Sequence, residues 1–166
     1  MTRACPLATV LYRFDDAARF PVFESHTQVK GVVAVHADRD DAGDFLRIDY
    51  QRQAGYAGED SIVLALPIVA VDGHLRKMLL DVFVGAGKCH FSIEVMDGRG
   101  NLFTVRFGAV DFGGWRTLCA DASKLLPPVQ FLRLRADIAA DSAPVRWALR
   151  SLSLTGEVRR LAAGIT

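Results

Sequence analysis

The sequence predicts an all-β fold, a sandwich of two antiparallel sheets, and three observations lead to this prediction. Short apolar segments alternate with polar residues, clusters of Gly, Asp and Asn separate them, and helix-forming segments are scarce. The clearest stretch is 79–121, where three alternating segments and two tight turns precede a fourth segment that starts at Gly113-Gly114-Trp115. A period of two is what one face of an antiparallel sheet imposes on a sequence. The stretch therefore predicts a β-meander.

The same signals predict about ten strands along the whole chain, at 8–14, 28–37, 45–53, 61–71, 76–84, 90–96, 102–107, 115–121, 131–138 and 147–155. Turn-forming clusters separate them, at 40–44, 72–73, 85–87, 97–101 and 113–114. A turn of helix is expected only at 15–20 and at 120–126, where Pro127 and Pro128 stop it. Many short strands with such turns are typical of a sandwich.

Alternation within the strands predicts which side chains enter the core. Leu46, Ile48 and Tyr50 face in, as do Phe91, Ile93 and Val95 in a later strand, and Leu132, Leu134 and Ala136 in another. The intervening polar groups are planar hydrogen-bonding side chains of the kind that recognise sugar hydroxyls or carboxylates. We expect six of them on one sheet face as a ligand-binding set: Arg47, Asp49, His90, Glu94, Arg133 and Arg135.

Trp147 is the candidate aromatic platform for a sugar ring. It follows the turn-forming residues 141–144 and shares strand parity with Ser151 and Ser153. Tryptophan has a large flat face that a sugar ring can stack on, but it also fills cores well. The sequence leaves both interpretations open.

Size and composition predict one domain, a sandwich at 1–156 followed by a tail at 157–166 that frays or forms a short helix. With 51% hydrophobic residues, 23% charged residues and a net charge of +1, the chain lacks the basic excess typical of nucleic-acid binding. No segment is long and apolar enough to span a membrane. The N-terminal residues do not resemble a signal peptide, so we expect a cytoplasmic protein, or an extracellular one if the chain is a domain of a longer exported protein.

Motifs for catalysis and metal binding are missing from the sequence. No serine lies in a Gly-x-Ser-x-Gly elbow, and the three cysteines lack metal-ligand spacing. The four histidines have no carboxylate placed as in a metalloprotease. Asp49 and Glu94 can be assembled into a glycosidase pair only if their strands are neighbours, and sheet surfaces routinely carry such residues. We predict no catalytic residue and no metal ligand.

Several motifs together carry a resemblance to a known superfamily. They are Tyr12-Arg13-Phe14-Asp15, Leu46-Arg47-Ile48-Asp49-Tyr50, Val82-Phe83-Val84-Gly85, 94–100 with Phe103, 110–116, and Leu152-Ser153-Leu154. Across residues 8 to 156 the chain resembles carbohydrate-binding-module-like jelly rolls of the galactose-binding-domain-like superfamily, which occur beside bacterial glycoside hydrolases. The resemblance implies a jelly-roll sandwich and sugar binding without catalysis.

Two departures from that pattern concern a structural calcium ion. Similar domains often have Gly-Asp-Gly-Ser-Gly where this chain has Gly85-Ala86-Gly87-Lys88, and an acidic residue where it has Arg150-Ser151. Calcium needs six to eight oxygen ligands. We therefore expect no cofactor; a structural calcium ion, which the resemblance implies, is the alternative that these two departures disfavour.

The predicted function is that of a non-catalytic module that binds a sugar or polysaccharide through one sheet face or its end loops. Its expected partner is a carbohydrate, with a homo-oligomer or an associated enzyme as further possibilities and with neither nucleic acid nor membrane. The first alternative is a protein-interaction or assembly sandwich, which could be a homodimer. The second is a small jelly-roll hydrolase or lyase with His90 or Tyr50 beside an arginine and a carboxylate.

Overall fold

A computed structural model describes residues 8–23, 27, 29, 31–56, 58–86, 88–110, 113–140 and 145–161 of the protein. Nine strands account for most of them: β1 (Thr9–Arg13), β2 (Gly31–Asp40), β3 (Gly43–Arg52), β4 (Asp60–Ala86), β5 (Cys89–Met96), β6 (Leu102–Val110), β7 (Gly114–Asp121), β8 (Val129–Ile138) and β9 (Val145–Arg160). A 3-10 turn, Ala17–Arg19, lies in one of the two segments predicted to hold a turn of helix. In this described part of the chain, no helix is long and apolar enough to cross a membrane.

The strands form two facing layers, and all pairing is antiparallel. Layer I has the order β2-β3-β9-β4-β7, with β1 beside β9, and layer II has the order β4-β8-β5-β6. Ring contacts across the interior show that the layers face each other: Phe91 of β5 lies 5.4 Å from Trp147 of β9, and Tyr12 of β1 lies 6.4 Å from Phe131 of β8. The predicted all-β sandwich is confirmed.

Strand β4 differs from its prediction because it is one strand of 27 residues that passes from layer II into layer I. The predicted turn at Asp72-Gly73 is wrong. Gly73 has φ +95°, and a Cβ there would lie 2.0 Å from the carbonyl oxygen of Glu157. Gly156 of β9, which pairs with Leu75, has φ +115°, and a Cβ there would lie 2.2 Å from the carbonyl oxygen of His74. Two glycines at this close crossing let β4 twist while it stays paired with β9. The two layers are therefore joined through continuous hydrogen bonding.

The end of the chain also differs from expectation. Residues 157–160 belong to β9 and pair with Val71–His74, so they are neither frayed nor helical. Arg159 pairs with Asp72 at 3.0 Å, and Arg160 donates a hydrogen bond to the carbonyl oxygen of Leu11 at 2.6 Å. Residues 162–166 of the predicted tail lie outside the described residues.

The predicted core alternation holds in β3 and β5, where the six inward side chains are each 3% exposed or less. It fails at Leu132 of β8. Glu94 pairs with Arg133 whereas the next residue, Val95, pairs with Phe131, so Leu132 is the extra residue of a β-bulge. Phe131 takes the core position, with none of its surface exposed.

Candidate functional site

The structure separates the predicted binding residues into two groups. His90, Glu94, Arg133 and Arg135 lie on the outer face of layer II, since β5 and β8 belong to that layer. Arg47 and Asp49 are on β3, and thus on the outer face of layer I. The expectation of a single shared face is wrong because parity predicts whether a side chain points outward but not which layer its strand joins.

Strands β3 and β5 lie in different layers, which excludes the one carboxylate pair considered for glycoside cleavage. Asp49 and Glu94 sit on opposite faces of the sandwich and cannot flank one bond. Tyr50, considered for the hydrolase alternative, points inward and is 3% exposed. None of these residues forms a catalytic pair across a cleft.

Trp147 is a core residue, so the prediction that it is an aromatic platform for a sugar ring is wrong. Its side chain is completely buried, pairs across the ladder with Ile48 and packs edge-on against Phe91. Its Nε1 has no hydrogen-bond partner among the described residues. No face of the ring is open to a sugar.

On layer II the strand register builds a regular array of polar side chains across the outer face. Neighbouring strands lie about 4.8 Å apart, so side chains at paired positions form rows. The first row has Ser61 of β4, Asp137 of β8 and His90 of β5. The second has Arg135 of β8, Ser92 of β5 and Arg106 of β6. The third has Arg133, Glu94 and Thr104 of the same three strands, β8, β5 and β6. We call this array the layer II groove, because most of these side chains line an open cavity of about 690 Å³.

Hydrogen bonds hold several of these side chains in place before any ligand arrives. Arg133 Nε donates to Glu94 Oε2 at 2.6 Å, and Arg135 Nε donates to Asp137 Oδ1 at 2.8 Å. The Ser61 hydroxyl donates to the same Asp137 oxygen at 2.7 Å and accepts from Arg135 Nη2 at 3.1 Å. These charge-assisted hydrogen bonds fix the orientations of the two guanidinium groups and the two carboxylates.

Phe23 contacts Arg133 at the end of the array. The Phe23 N–H donates to the carbonyl oxygen of Val63 at 2.7 Å, and the Arg133 guanidinium carbon lies 5.2 Å from the Phe23 ring centroid. Such a cation-π contact adds to the ordering of Arg133. No local signal in the sequence links Phe23 to β8, which is why this residue was not predicted.

Further groove residues were also missed. Ser61 and Arg106 did not stand out as sequence positions, and Asp137 was recognised only as outward-facing. The available signal for Arg106 was its position between buried Val105 and Phe107 in β6. That signal indicates an outward side chain, but only the pairing of Arg106 with Ser92 places it in this row.

At the end of the groove Cys89 is fully buried. Burial, followed by the charge of Asp137, raises the pKa of its thiol to about 12. A thiol that stays protonated is neither a nucleophile nor a metal ligand. Among the residues that the structure describes, no three His, Cys, Asp or Glu side chains are grouped so that they could hold a metal ion.

The outer face of layer I carries its own ion-pair network around Asp49. Arg146 Nε donates to Asp49 at 2.7 Å and Arg47 Nε donates at 3.2 Å, while Arg47 also reaches Asp38 at 2.8 Å. Desolvation alone would raise the pKa of Asp49, but the bonds and charges of Arg146 and Arg47 outweigh it and hold the pKa below its usual range.

Beside that network lies an aromatic cluster. Trp115 packs against Phe45 and Phe83 at centroid distances of 5.5 and 5.7 Å. The Arg150 guanidinium carbon lies 4.0 Å from the Trp115 ring centroid, and Arg150 Nη2 donates to both carboxylate oxygens of Asp40 at 2.6 Å. Arg150 thus covers the indole, which is half-buried.

Comparison with solved structures identifies the architecture. A promiscuous carbohydrate-binding module of the β-sandwich superfamily matches with a TM-score of 0.63 and 10% identity, over 89% of this chain and 62% of that one. A family 11 carbohydrate-binding module from Clostridium thermocellum, solved with a β-1,3-1,4-mixed-linked tetrasaccharide, matches with a TM-score of 0.55 and 13% identity, over 92% and 98%. This chain has the fold of the β-sandwich carbohydrate-binding modules. The resemblance inferred from the sequence is confirmed at the level of fold.

The same fold occurs in a second setting. The enzymatically active domain of tailspike protein 4 from bacteriophage CBA120 matches with a TM-score of 0.58 and 12% identity, over 86% of this chain but only 20% of that one. No family model and no curated protein matches the sequence. At such identities the likeness concerns the fold alone, so function must be argued from the groove.

Proposed function

We propose that this protein is a non-catalytic carbohydrate-binding domain that holds a sugar chain in the layer II groove. The observation that carries the proposal is the array of planar polar groups that the register of β4, β8, β5 and β6 builds across an open face. The fold, shared with carbohydrate-binding modules, supports it.

The mechanism is shallow recognition through hydrogen bonds. Guanidinium and carboxylate groups present fixed pairs of donors or acceptors that match vicinal sugar hydroxyls. Arg135 and Glu94 are already held by neighbours, so binding costs little side-chain entropy. Affinity for one site is modest, and attachment to an enzyme or to a surface would raise the effective concentration.

The two carboxylates in the middle of the groove, Glu94 and Asp137, support a role without catalysis. A glycosidase needs one carboxyl group free to give a proton and another to act as base or nucleophile. Glu94 and Asp137 each accept a short hydrogen bond from a guanidinium, at 2.6 and 2.8 Å. This arrangement suits fixed recognition groups better than proton donors.

A protein-interaction domain is the second candidate, and layer I favours it. Its edge strand β2 carries Val32, which is 71% exposed, and the half-buried Phe45, Phe83 and Trp115 lie on the same outer face. Exposed apolar side chains on a sheet edge suit pairing with another chain. Such a protein would associate without sugar.

The test compares two double variants that each remove one carboxylate and one guanidinium from a different face. Glu94→Gln with Arg135→Gln alters the layer II groove, and Asp49→Asn with Arg47→Gln is the matched control on layer I. Affinity electrophoresis on soluble polysaccharides, with calcium and with chelator, measures retention. We expect the groove variant to lose at least about tenfold in affinity, since each charged hydrogen bond contributes about 1.5–3 kcal/mol.

Three outcomes have distinct meanings. Loss in the control alone would move the site to layer I. No retention of the unaltered protein on any polysaccharide, together with a dimer in light scattering, would favour the interaction domain. Retention that disappears with chelator would reveal a calcium requirement.

A further inference from the structure

The two sides of the layer II groove offer different groups to a ligand. In its middle, the carboxylates of Glu94 and Asp137 accept hydrogen bonds from Arg133, Arg135 and Ser61. On the β4 side the exposed carboxylate of Glu59 is open. On the β6 side the open group is a donor, the guanidinium of Arg106.

Arg106 is the open donor on the β6 side. It is exposed on β6, and within the described part of the chain it has no ion pair or side-chain hydrogen bond. Its guanidinium offers five N–H groups in a fixed planar fork. That fork matches a carboxylate better than it matches isolated hydroxyls.

The register gives Arg106 a suitable surrounding. Across β5 it pairs with Ser92, which in turn pairs with Arg135. Two strand spacings separate the Cα atoms of the two arginines by about 10 Å, and the small side chain of Ser92 leaves space beside the Arg106 guanidinium. The Arg135 guanidinium is held by Asp137 and by Ser61 of β4, on the side away from Arg106. His90 adds another exposed nitrogen-bearing side chain one row away.

Aromatic stacking contributes little to binding in the layer II groove. Of the described residues that line the cavity, Phe91 is the aromatic one, and it is 1% exposed. A neutral sugar ring would lack the apolar face that usually supports it in a shallow site. Binding here must depend on charge and hydrogen bonds.

The opposing charges lie at the other side of the groove. Glu59 is exposed beside the start of β4, and Asp60, which has its own contacts, is 3% exposed. β8 and β5 stand between β4 and β6, so about 14 Å separates these carboxylates from Arg106. The groove is therefore acidic at its β4 side and basic at its β6 side.

We propose that the ligand is an acidic polysaccharide, and that Arg106, which lies across Ser92 from Arg135, binds the anionic group of one sugar unit. The inference rests on the proposed function and adds the ligand class to it. The anionic group is a uronate carboxylate or a sulfate, since both accept paired hydrogen bonds from a guanidinium.

The test compares charged and neutral polysaccharides, and includes one pair that differs only in methyl esterification of the carboxylates. Titration calorimetry at low salt measures binding to polygalacturonate, to the same polymer after methyl esterification, to a sulfated galactan and to a neutral mixed-linked β-glucan. We expect binding to the uronate or the sulfated polymer, and affinity at least about tenfold weaker for the ester than for the free acid if the group is a carboxylate. Binding should weaken as salt rises.

Two variants locate the effect. Arg106→Gln should lower affinity for the acidic polymer at least about tenfold and remove most of the salt dependence. The matched control is Arg76→Gln, which replaces an exposed arginine that is on β4 and outside the groove. It should change neither the affinity nor its salt dependence. Because Arg106 is exposed, urea unfolding should be the same for both variants and the unaltered protein.

The outcomes separate this inference from the proposed function. Equal binding to the neutral glucan, with no effect of Arg106→Gln, would overturn the acidic ligand and leave carbohydrate binding in place. Binding to no polymer at all would overturn both. Preference for the sulfated galactan over polygalacturonate would support the inference and identify sulfate as the anionic group.

Discussion

Replacing Gly73 by alanine tests whether the close crossing of β4 and β9 holds the two layers together. Gly73 has φ +95°, and an added Cβ would lie 2.0 Å from the carbonyl oxygen of Glu157, where ordinary contacts begin at 3.4 Å. The strand pair must open by more than 1 Å to admit it. Strain at positive φ costs about 1–2 kcal/mol, and ladder bonds lost beside the site add about 1–3 kcal/mol.

We therefore expect Gly73→Ala to lower the free energy of unfolding by about 3 kcal/mol, measured by urea denaturation. The matched control is Gly100→Ala, where φ is +79° and nothing lies within 4 Å of the added Cβ. Gly100→Ala carries only the cost of placing an alanine at positive φ, about 1 kcal/mol. In thermal unfolding the first variant should melt about 6–12 °C lower than the unaltered protein. Equal destabilisation by both variants would refute the role of the crossing.

Other predictions concern ion pairs and thiols. Asp49→Asn should destabilise the protein near neutral pH and have less effect below about pH 4; the stabilisation from ionised Asp49 is fully present above its unfolded pKa and is lost as the pH falls through the lowered pKa of the folded state, and denaturation at several pH values measures this. A double-mutant cycle of Glu94→Gln and Arg133→Gln should give a coupling energy of about 1 kcal/mol, since both side chains are about one-fifth exposed, and additive effects would contradict the contact. Alkylation at pH 8 followed by peptide mapping should label exposed Cys119 and spare Cys89, whose raised pKa and burial protect it; fast labelling of Cys89 would contradict its position.

Part of the candidate site was predictable from the sequence. Outward parity in β5 and β8 correctly identified His90, Glu94, Arg133 and Arg135 as surface groups, and these four meet in or beside the layer II groove. Parity holds because alternate side chains of a strand point to opposite faces whatever its neighbours are. The same rule applied to Arg47 correctly predicted an outward side chain and missed the layer.

The rest depends on contacts between residues far apart in the chain. Local sequence determined the all-β class, the approximate strands and the inward rows of β3 and β5, because the backbone period and the turn residues act within a few positions. Only the tertiary structure decided that β4 serves both layers, that Phe131 displaces Leu132 from the core, that Trp147 is buried, and that Arg106 stands in one row with Ser92 and Arg135. Strand order and register result from the joint packing of many distant side chains, and no single segment encodes them.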